Sequence, residues 1–298
     1  MDARLSRRRV LALGSGLVVA GVATALGLTG ARRCNQNPTA GGASTATPQA
    51  GPTPTPSPIA TPAPTRPETT SPTPTAMPTA VPATPTPTTS RPQWTLEVLR
   101  QPVSSGPADR PLVALTIDDG WSSRDAVLSV LQNKDVHATF FLTGRALVGD
   151  SGFIARALAA GCEIGNHTMD HYTLTDKSKA YIQKDLQDFE DLVRSVVPLA
   201  TTKPYMRPSG GSLNATVIDA AADAGYRPIL WSVSAGDGSA TTTPDEMTQN
   251  VLGGARPGAI ILLHFGPRAV VALPGIIDGL RARKLEPVTV TVLFGGAG

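Results

Sequence analysis

The sequence predicts an α/β domain in which parallel strands form a closed or nearly closed barrel. Short apolar runs alternate with amphipathic stretches from Trp94 onward, polar residues recur directly after those runs, and the first 93 residues have a different composition. Apolar runs of strand length separated by helical periodicity are typical of parallel strands joined by crossover helices. The composition of the N-terminal third predicts that it lies outside this domain.

Residues 1–33 predict a signal peptide or a membrane anchor. Four arginines in the first nine residues precede a charge-free run from Val10 to Ala31. At about 20 residues, such a run is long enough to span a bilayer. The stretch SRRRVL resembles a twin-arginine signal, and the stretch ATA within the run offers a cleavage site. We therefore expect an exported protein, at the cell surface or extracellular, that uses the twin-arginine route or stays membrane-anchored.

Residues 34–93 predict a disordered Pro/Thr-rich linker. Sixteen of the 28 prolines of the chain lie between Pro38 and Pro92, a stretch without any aromatic residue. Such a segment cannot bury enough apolar surface to offset the conformational entropy of the chain. We interpret it as a stalk that carries the domain formed by residues 94–298.

The charge of the chain changes at the same boundary. Residues 1–93 contain 8 Lys and Arg against 2 Asp and Glu, whereas residues 94–298 contain 18 against 21. The calculated isoelectric point near 9.0 is therefore a property of the N-terminal arm. We expect no nucleic-acid binding by the folded domain.

Each apolar run of the domain predicts a strand, and each amphipathic stretch predicts a helix. The predicted strands are LVALTI (112–117), HATFFLT (137–143), CEIGN (162–166), PYMR (204–207), PILWSV (228–233), AIILLHF (259–265) and PVTVTVLF (287–294). The predicted helices are 122–133, 151–160, 178–196, 213–224, 244–254 and 272–284. Six or seven such units favour a barrel over an open sheet.

Polar residues follow the predicted strands at their carboxyl ends, where the functional sites of such folds gather. In chain order these residues are Asp118, Asp119, His167, His171, Arg207, Asp237 and His264. The pair Asp118 and Asp119 poses a problem, because adjacent carboxylates beside an apolar run repel each other. A divalent cation nearby would keep both ionised.

The stretch HTMDH supplies ligands for such a cation. His167 and His171 are four residues apart, and two imidazoles plus one carboxylate make a three-ligand site with open positions for water. The same ligand types occur in non-haem iron oxygenases. The parallel βα pattern and the additional Asp118, Arg207 and His264 disfavour that alternative.

Five motifs of the sequence resemble those of a known family. TIDDG, HTMDH, RPSGG, WSVSAGDG and the LLH of IILLHFG resemble, in order, the motifs of the polysaccharide deacetylase family, also called the NodB homology domain or carbohydrate esterase family four. The resemblance covers about residues 108–295. It implies a distorted (β/α) barrel and a metal-dependent hydrolase that removes N-acetyl groups from a polysaccharide, with one divalent ion, commonly zinc.

The resemblance also implies a role for individual residues. Asp119, His167 and His171 would bind the metal ion. Asp118 would be the general base, oriented by Arg207, and His264 would be the general acid, tuned by Asp237. The backbone N–H of Gly210 would face the oxyanion, and Leu262 would line the acetyl pocket.

Two glycines depart from the family pattern. Gly210 stands where the family has an aromatic residue, and Gly238 stands where it has a Trp, while Ser234 replaces a common Asp. Both glycines open the groove, so a non-catalytic module that binds wall glycans on the same fold is an alternative.

An exported protein on a stalk favours the cell's own wall as substrate. We therefore expect peptidoglycan N-acetylglucosamine ahead of chitin-like oligomers or acetylated xylan. We also expect a monomer that contacts the membrane through its N-terminal segment if that segment is not cleaved.

Overall fold

The computed structural model describes residues 90–296. The predicted signal or anchor and all but the last residues of the predicted linker lie outside the described residues. Within residues 90–296, no helix is both long enough and apolar enough to cross a bilayer.

An eight-stranded sheet and eight α-helices make up the part of the chain described. The strands are β1 (Leu112–Asp119), β2 (Thr139–Leu142), β3 (Glu163–Asn166), β4 (Tyr205–Met206), β5 (Arg227–Pro228), β6 (Val233–Ser234), β7 (Ile260–His264) and β8 (Glu286–Val288). The α-helices are α1 (Leu96–Leu99), α2 (Arg124–Asn133), α3 (Phe153–Ala159), α4 (Lys179–Val196), α5 (Ala215–Asp223), α6 (Pro244–Gly254), α7 (Pro267–Ala282) and α8 (Val290–Leu293). Short 3₁₀ helices cover Gly144–Leu147 and Ser209–Gly211.

The strands pair in the order β5-β4-β3-β2-β1-β7-β6, and β8 pairs with the first residues of β1 on the edge opposite β7. Every ladder between these strands is parallel, which confirms the predicted α/β class. The prediction of a closed or nearly closed barrel is confirmed in part: the parallel sheet is curled into a half-barrel, and the described β5 and β6 share no ladder. Isolated bridges partly cover the gap, from Val103 to Ile229 and from Ser105 to Ala259.

β1 reads as a continuous apolar run because both faces of the sheet are covered. Val113, Leu115 and Ile117 point outward into the core between sheet and helices. Ala114 points inward, into a smaller cluster that includes Phe141. The strand thus places Thr116 and Asp118 on its inner face, because side chains alternate along a strand.

The predicted strand 228–233 is broken in the middle, and Arg207 is the physical reason. Nε of Arg207 donates to the carbonyl oxygen of Ile229 at 2.9 Å, and Nη2 donates to that of Leu230 at 3.0 Å. Because the carbonyl groups of Ile229 and Leu230 bind the guanidinium inside the half-barrel, they are not available for the hydrogen bonds of a continuous strand ladder. The chain therefore forms two short strands with an irregular segment between them.

The predicted strand 287–294 is a strand only in its first part. Its alternating Val and Thr residues predicted extended structure, but Thr289 caps a helix by accepting a hydrogen bond from the backbone N–H of Val292. The helix buries Val290 and Leu293 together, which are three residues apart on one helical face. They close the inside of the half-barrel at the end opposite the carboxyl ends of the strands.

Contacts with the domain extend to Arg91, three residues before the predicted boundary at Trp94. The side chain of Arg91 donates to the carbonyl oxygens of Lys203 and Ile164, at 2.8 Å each, and lies 3.2 Å from Glu163 Oε1. Glu163 is buried and also accepts a hydrogen bond from Thr139 Oγ1. These contacts fix the chain at the amino ends of the strands.

We predict that Arg91→Ala lowers the free energy of unfolding by about 2–3 kcal/mol, because it leaves the buried Glu163 carboxylate without its cation. Lys184→Ala is the matched control, since it breaks an exposed pair with Asp188 on α4 and should leave the free energy of unfolding nearly unchanged. Urea unfolding followed by tryptophan fluorescence measures both. Equal effects of the two substitutions would contradict the role of Arg91.

Candidate active site

The two aspartates that end β1 point in different directions. Asp118 lies opposite His264 of β7 in the sheet register, on the inner face of the strand. Asp119 has a φ of +80°, in the left-handed region. This backbone turn takes its carboxylate out of the strand alternation and towards the HTMDH loop. Adjacent carboxylates thereby acquire separate environments.

Arg207 provides the charge that faces Asp118. Its side chain is fully buried, and Nη1 donates to Asp118 Oδ1 at 2.6 Å and to Thr116 Oγ1 at 2.8 Å. Its guanidinium carbon lies 4.1 Å from the ring centroid of Phe141. Burial lowers the pKa of Arg207, and the Asp118 carboxylate opposes that shift. The result is a buried ion pair that holds the Asp118 carboxylate in one orientation.

Asp119, His167 and His171 converge at the carboxyl ends of β1 and β3. One ligand atom from each residue lies within 4.8 Å of the others. His171 Nε2 lies 3.0 Å, and His167 Nε2 lies 3.3 Å, from Asp119 Oδ1. His167 Nδ1 is 2.8 Å from the backbone oxygen of Arg207, to which it donates, so that Nε2 carries the lone pair of the neutral ring.

The donor set fits a divalent metal ion. Asp119 Oδ1 is buried and receives no hydrogen bond of normal geometry, although two imidazole nitrogens lie beside it. Burial alone would raise the pKa of Asp119, but its contacts with His167 and His171 hold that pKa well below the usual range. Once the imidazole nitrogens beside it are deprotonated and offer their lone pairs, the buried carboxylate oxygen completes a three-ligand site with room for further ligands.

The loop that carries both histidines is held by Asp185 of α4. Its two carboxylate oxygens accept the backbone N–H groups of Met169 and Asp170, at 2.9 and 3.0 Å. Burial raises the pKa of Asp185, and the two backbone donors oppose that shift. Sequence reasoning missed this residue. Its signal was present, because Asp185 occupies a position on the buried face of α4, three residues after Ile182.

Local side-chain bonds support the unusual backbone of the same loop. Thr168 and His171 have φ values of +73° and +58°. The Asn166 side chain accepts the N–H of Thr168, and Thr168 Oγ1 accepts the N–H of His171, at 2.9 Å each. Left-handed non-glycine residues persist where surrounding contacts over-determine them, and they cluster at functional sites.

His264 is held by Asp237 from the neighbouring loop. Asp237 accepts the backbone N–H of His264 at 2.6 Å, and its other oxygen is 3.0 Å from ring Nδ1. Arg268 of α7 holds that loop, because it donates to the carbonyl oxygens of Asp237, Ser239 and Thr242. Sequence reasoning also missed Arg268, whose acceptors are all backbone atoms about 30 residues away in the chain.

The surroundings of His264 favour the imidazolium form. Burial would lower the pKa of His264, but the hydrogen bond to Asp237 and the charges of Asp118 and Asp119 raise it to about 9. A cation bound to Asp119 offsets part of the charge of that carboxylate. The Asp237 contact is the contribution that persists in the metal-loaded protein.

The predicted substrate residues line the same edge. Leu262 is buried on β7, two residues before His264 and on the same face of the strand. Gly210 is exposed with a φ of +63°, and a Cβ there would meet only Ser212 Oγ, 3.9 Å away. A Cβ at Gly238 would meet nothing within 4 Å. The space where the family carries aromatic side chains is therefore open.

Comparisons with known proteins agree with this geometry. The family described as polysaccharide deacetylase matches residues 105–229. A peptidoglycan-N-acetylglucosamine deacetylase of Bacillus cereus is 32% identical over 199 residues, which are 63% of this chain and 90% of that protein.

Two solved structures are also similar. The family 4 carbohydrate esterase PdaA of Bacillus subtilis has a TM-score of 0.61 at 28% identity, covering 66% of this chain and 86% of that one. A pseudoenzyme of the same esterase family from Bacillus anthracis has a TM-score of 0.62 at 28% identity, covering 65% and 69%. A mutant of that pseudoenzyme has restored enzymatic activity.

We predict that Asp185→Asn weakens the affinity for a divalent metal ion by about tenfold to a hundredfold, because an amide cannot accept both N–H groups of the histidine loop. Asp191→Asn, on the exposed side of α4, is the control and should not change the affinity. Calorimetric titration of the chelator-stripped full chain with Zn²⁺ measures both. An unchanged affinity in Asp185→Asn would show that the loop keeps its shape without this carboxylate.

Proposed function

Since the chain belongs to the polysaccharide deacetylase family and is thus a hydrolase of amide bonds, we propose that it removes N-acetyl groups from the N-acetylglucosamine of cell-wall peptidoglycan. One observation carries the proposal. Asp118 and His264 lie opposite each other on β1 and β7, beside the cluster of Asp119, His167 and His171. A carboxylate and an imidazolium in that arrangement suit the two proton transfers of amide hydrolysis.

In the proposed mechanism, Asp119, His167 and His171 hold one divalent ion, which we propose to be Zn²⁺. When bound, such an ion polarises the acetyl carbonyl and makes a water molecule more acidic. Asp118 accepts the proton of the attacking water. Arg207 holds the Asp118 carboxylate in one orientation through the hydrogen bond from Nη1.

The remaining residues serve the leaving group and the acetyl group. His264, protonated and held by Asp237, donates its Nε2 proton to the leaving amine nitrogen. The backbone N–H of Gly210 donates to the developing oxyanion, and Leu262 contacts the acetyl methyl group. An oxyanion donor of this kind typically contributes about 3 kcal/mol to transition-state stabilisation.

Two observations support peptidoglycan as the substrate. The relative from Bacillus cereus carries that activity in its name. The sequence of residues 1–33, with its arginines before an apolar run, favours export, and an exported deacetylase meets the cell's own wall first. We propose a monomer at the cell surface or outside the cell, which contacts the membrane through residues 1–33 if they are retained.

The alternative of a non-catalytic glycan-binding module is weaker. The similar pseudoenzyme demonstrates that this fold exists without activity. A module that only binds glycans has no use for a buried Arg207–Asp118 ion pair or for a His264 whose pKa is raised. An iron oxygenase is weaker still, because it would not need either proton-transfer group.

We predict that the full chain releases acetate from peptidoglycan, that chelation abolishes this activity, and that added Zn²⁺ restores it. Asp118→Asn should lower kcat by about 10²–10⁴-fold and keep the metal, because Asp119 supplies the ligand. The measurements are acetate release, metal content and melting temperature. Metal loss in Asp118→Asn would reverse the roles of the two aspartates, and an inactive metal-loaded wild type would favour the binding module.

We also predict a bell-shaped pH profile of kcat whose alkaline limb reports His264. Because the pKa of His264 is raised, its imidazolium persists above neutral pH, and activity falls once pH exceeds that pKa. Asp237→Asn should move the alkaline limb to lower pH and leave metal content unchanged, whereas Asp191→Asn should move neither. If the alkaline limb of Asp237→Asn coincides with that of the wild type, Asp237 does not tune the acid.

A further inference from the structure

Two exposed aromatic side chains flank the metal-binding residues. Six large apolar side chains are exposed within residues 90–296, and only Trp121 and Tyr172 among them are aromatic. Trp121 is 50% exposed and Tyr172 is 48% exposed. The Trp121 ring meets the His171 ring edge to face, with centroids 5.8 Å apart, and Tyr172 is the next residue after His171. The Trp121 ring therefore borders the place where the acetyl group would react, and Tyr172 directly follows a metal-binding residue.

Exposed aromatic rings at a site of polysaccharide chemistry suit a sugar. The C–H groups on one face of a pyranose form an apolar surface with a slightly positive charge, which complements the negative face of an aromatic ring. Gly210 and Gly238 leave open space where the family carries aromatic side chains, and the nearby Trp231 ring packs against Gly211 and is only partly exposed. Among the described residues, the most exposed aromatic surface for a sugar ring is thus on the Trp121 side.

A cation lies beside Tyr172. Nη1 of Arg145 is 3.4 Å from the Tyr172 hydroxyl, to which it donates, and the guanidinium carbon lies 5.7 Å from the ring centroid. The backbone N–H of Arg145 is bonded to the carbonyl oxygen of Met169 in the histidine loop, at 3.0 Å. Among the described residues no carboxylate pairs with Arg145, whereas the nearby Lys177 has Asp176 3.4 Å away. Arg145 is therefore an exposed cation with donors left for a ligand.

We propose that Trp121, Tyr172 and Arg145 form a subsite for the sugar next to the one that is deacetylated, and that this neighbouring sugar carries a carboxylate. The rings of Trp121 and Tyr172 contact the pyranose, and the Arg145 guanidinium binds the carboxylate. This proposal rests on the proposed function, deacetylation of a polysaccharide. It adds that the polysaccharide substrate is an acidic glycan. In peptidoglycan, each N-acetylglucosamine neighbours a sugar bearing a lactyl group. A chitin-like oligomer has no such acid.

The test measures binding to the full chain carrying Asp118→Asn, which slows turnover by about 10²–10⁴-fold and so preserves the probes during the titration. The probes are a neutral N-acetylglucosamine tetramer and a peptidoglycan tetrasaccharide with free lactyl carboxylates, titrated calorimetrically. In this Asp118→Asn background, the second substitution Arg145→Gln should weaken binding of the acidic probe about tenfold and binding of the neutral probe less than twofold. Adding Trp121→Ala should weaken both probes about tenfold, and Trp121→Phe should recover part of the loss.

Arg256→Gln is the control for Arg145→Gln, because Arg256 is an exposed cation in the segment before β7. Leu199→Ala is the control for Trp121→Ala, because Leu199 is an exposed apolar side chain in the segment before β4. Neither should change binding of either probe. The subsite is overturned if Arg145→Gln changes the affinity for both probes equally or for neither. It is also overturned if Trp121→Ala binds both probes as tightly as its parent does.

Acetate release by the wild type separates this failure from that of the proposed function. If the wild type deacetylates peptidoglycan but Arg145→Gln binds both probes normally, only the subsite is wrong. If the wild type releases no acetate while Arg145→Gln still loses the preference for the acidic probe, the subsite stands and the proposed activity is wrong.

Discussion

The buried ion pair between Arg207 and Asp118 is the constraint on which the rest of the site depends. A buried guanidinium without partners costs several kcal/mol, so the strand ends must come close enough to supply acceptors. Asp118 and Thr116 of β1 supply two, and the carbonyl groups of Ile229 and Leu230 after β5 supply the others. One side chain thereby joins β1, β4 and the segment after β5 at a single edge of the sheet.

The same edge shows how neighbouring residues with identical side chains acquire different chemistry. Asp118 follows the strand alternation and meets a guanidinium, whereas the left-handed backbone of Asp119 turns its carboxylate to two imidazoles. The two side chains are chemically identical, so their different partners must come from the backbone. The cause is the left-handed φ angle of Asp119, and the following Gly120 accommodates that turn with a φ of +98°.

Sequence reasoning performed best where burial alone decides the structure. The run 112–117 predicted β1 nearly to its ends, because a strand covered on both faces must be apolar throughout. It failed where a distant side chain decides, as at residues 228–233, whose carbonyl groups Arg207 binds. Arg268 escaped it for a related reason: it binds backbone atoms of a loop, and backbone atoms leave no trace in the residue letters. Asp185 did leave a signal, as a carboxylate on the buried face of α4, but that signal does not name the loop whose N–H groups it binds.

The contacts of Arg91 have a mechanical consequence for an enzyme that works on a stiff polymer. The chain joins the domain at the amino ends of the strands, through Glu163 and the carbonyl groups of Lys203 and Ile164. The reactive groups stand at the carboxyl ends, with the sheet between the two. A pull on the preceding chain would therefore act first on the contacts of Arg91, at the edge of the sheet opposite the proton-transfer groups.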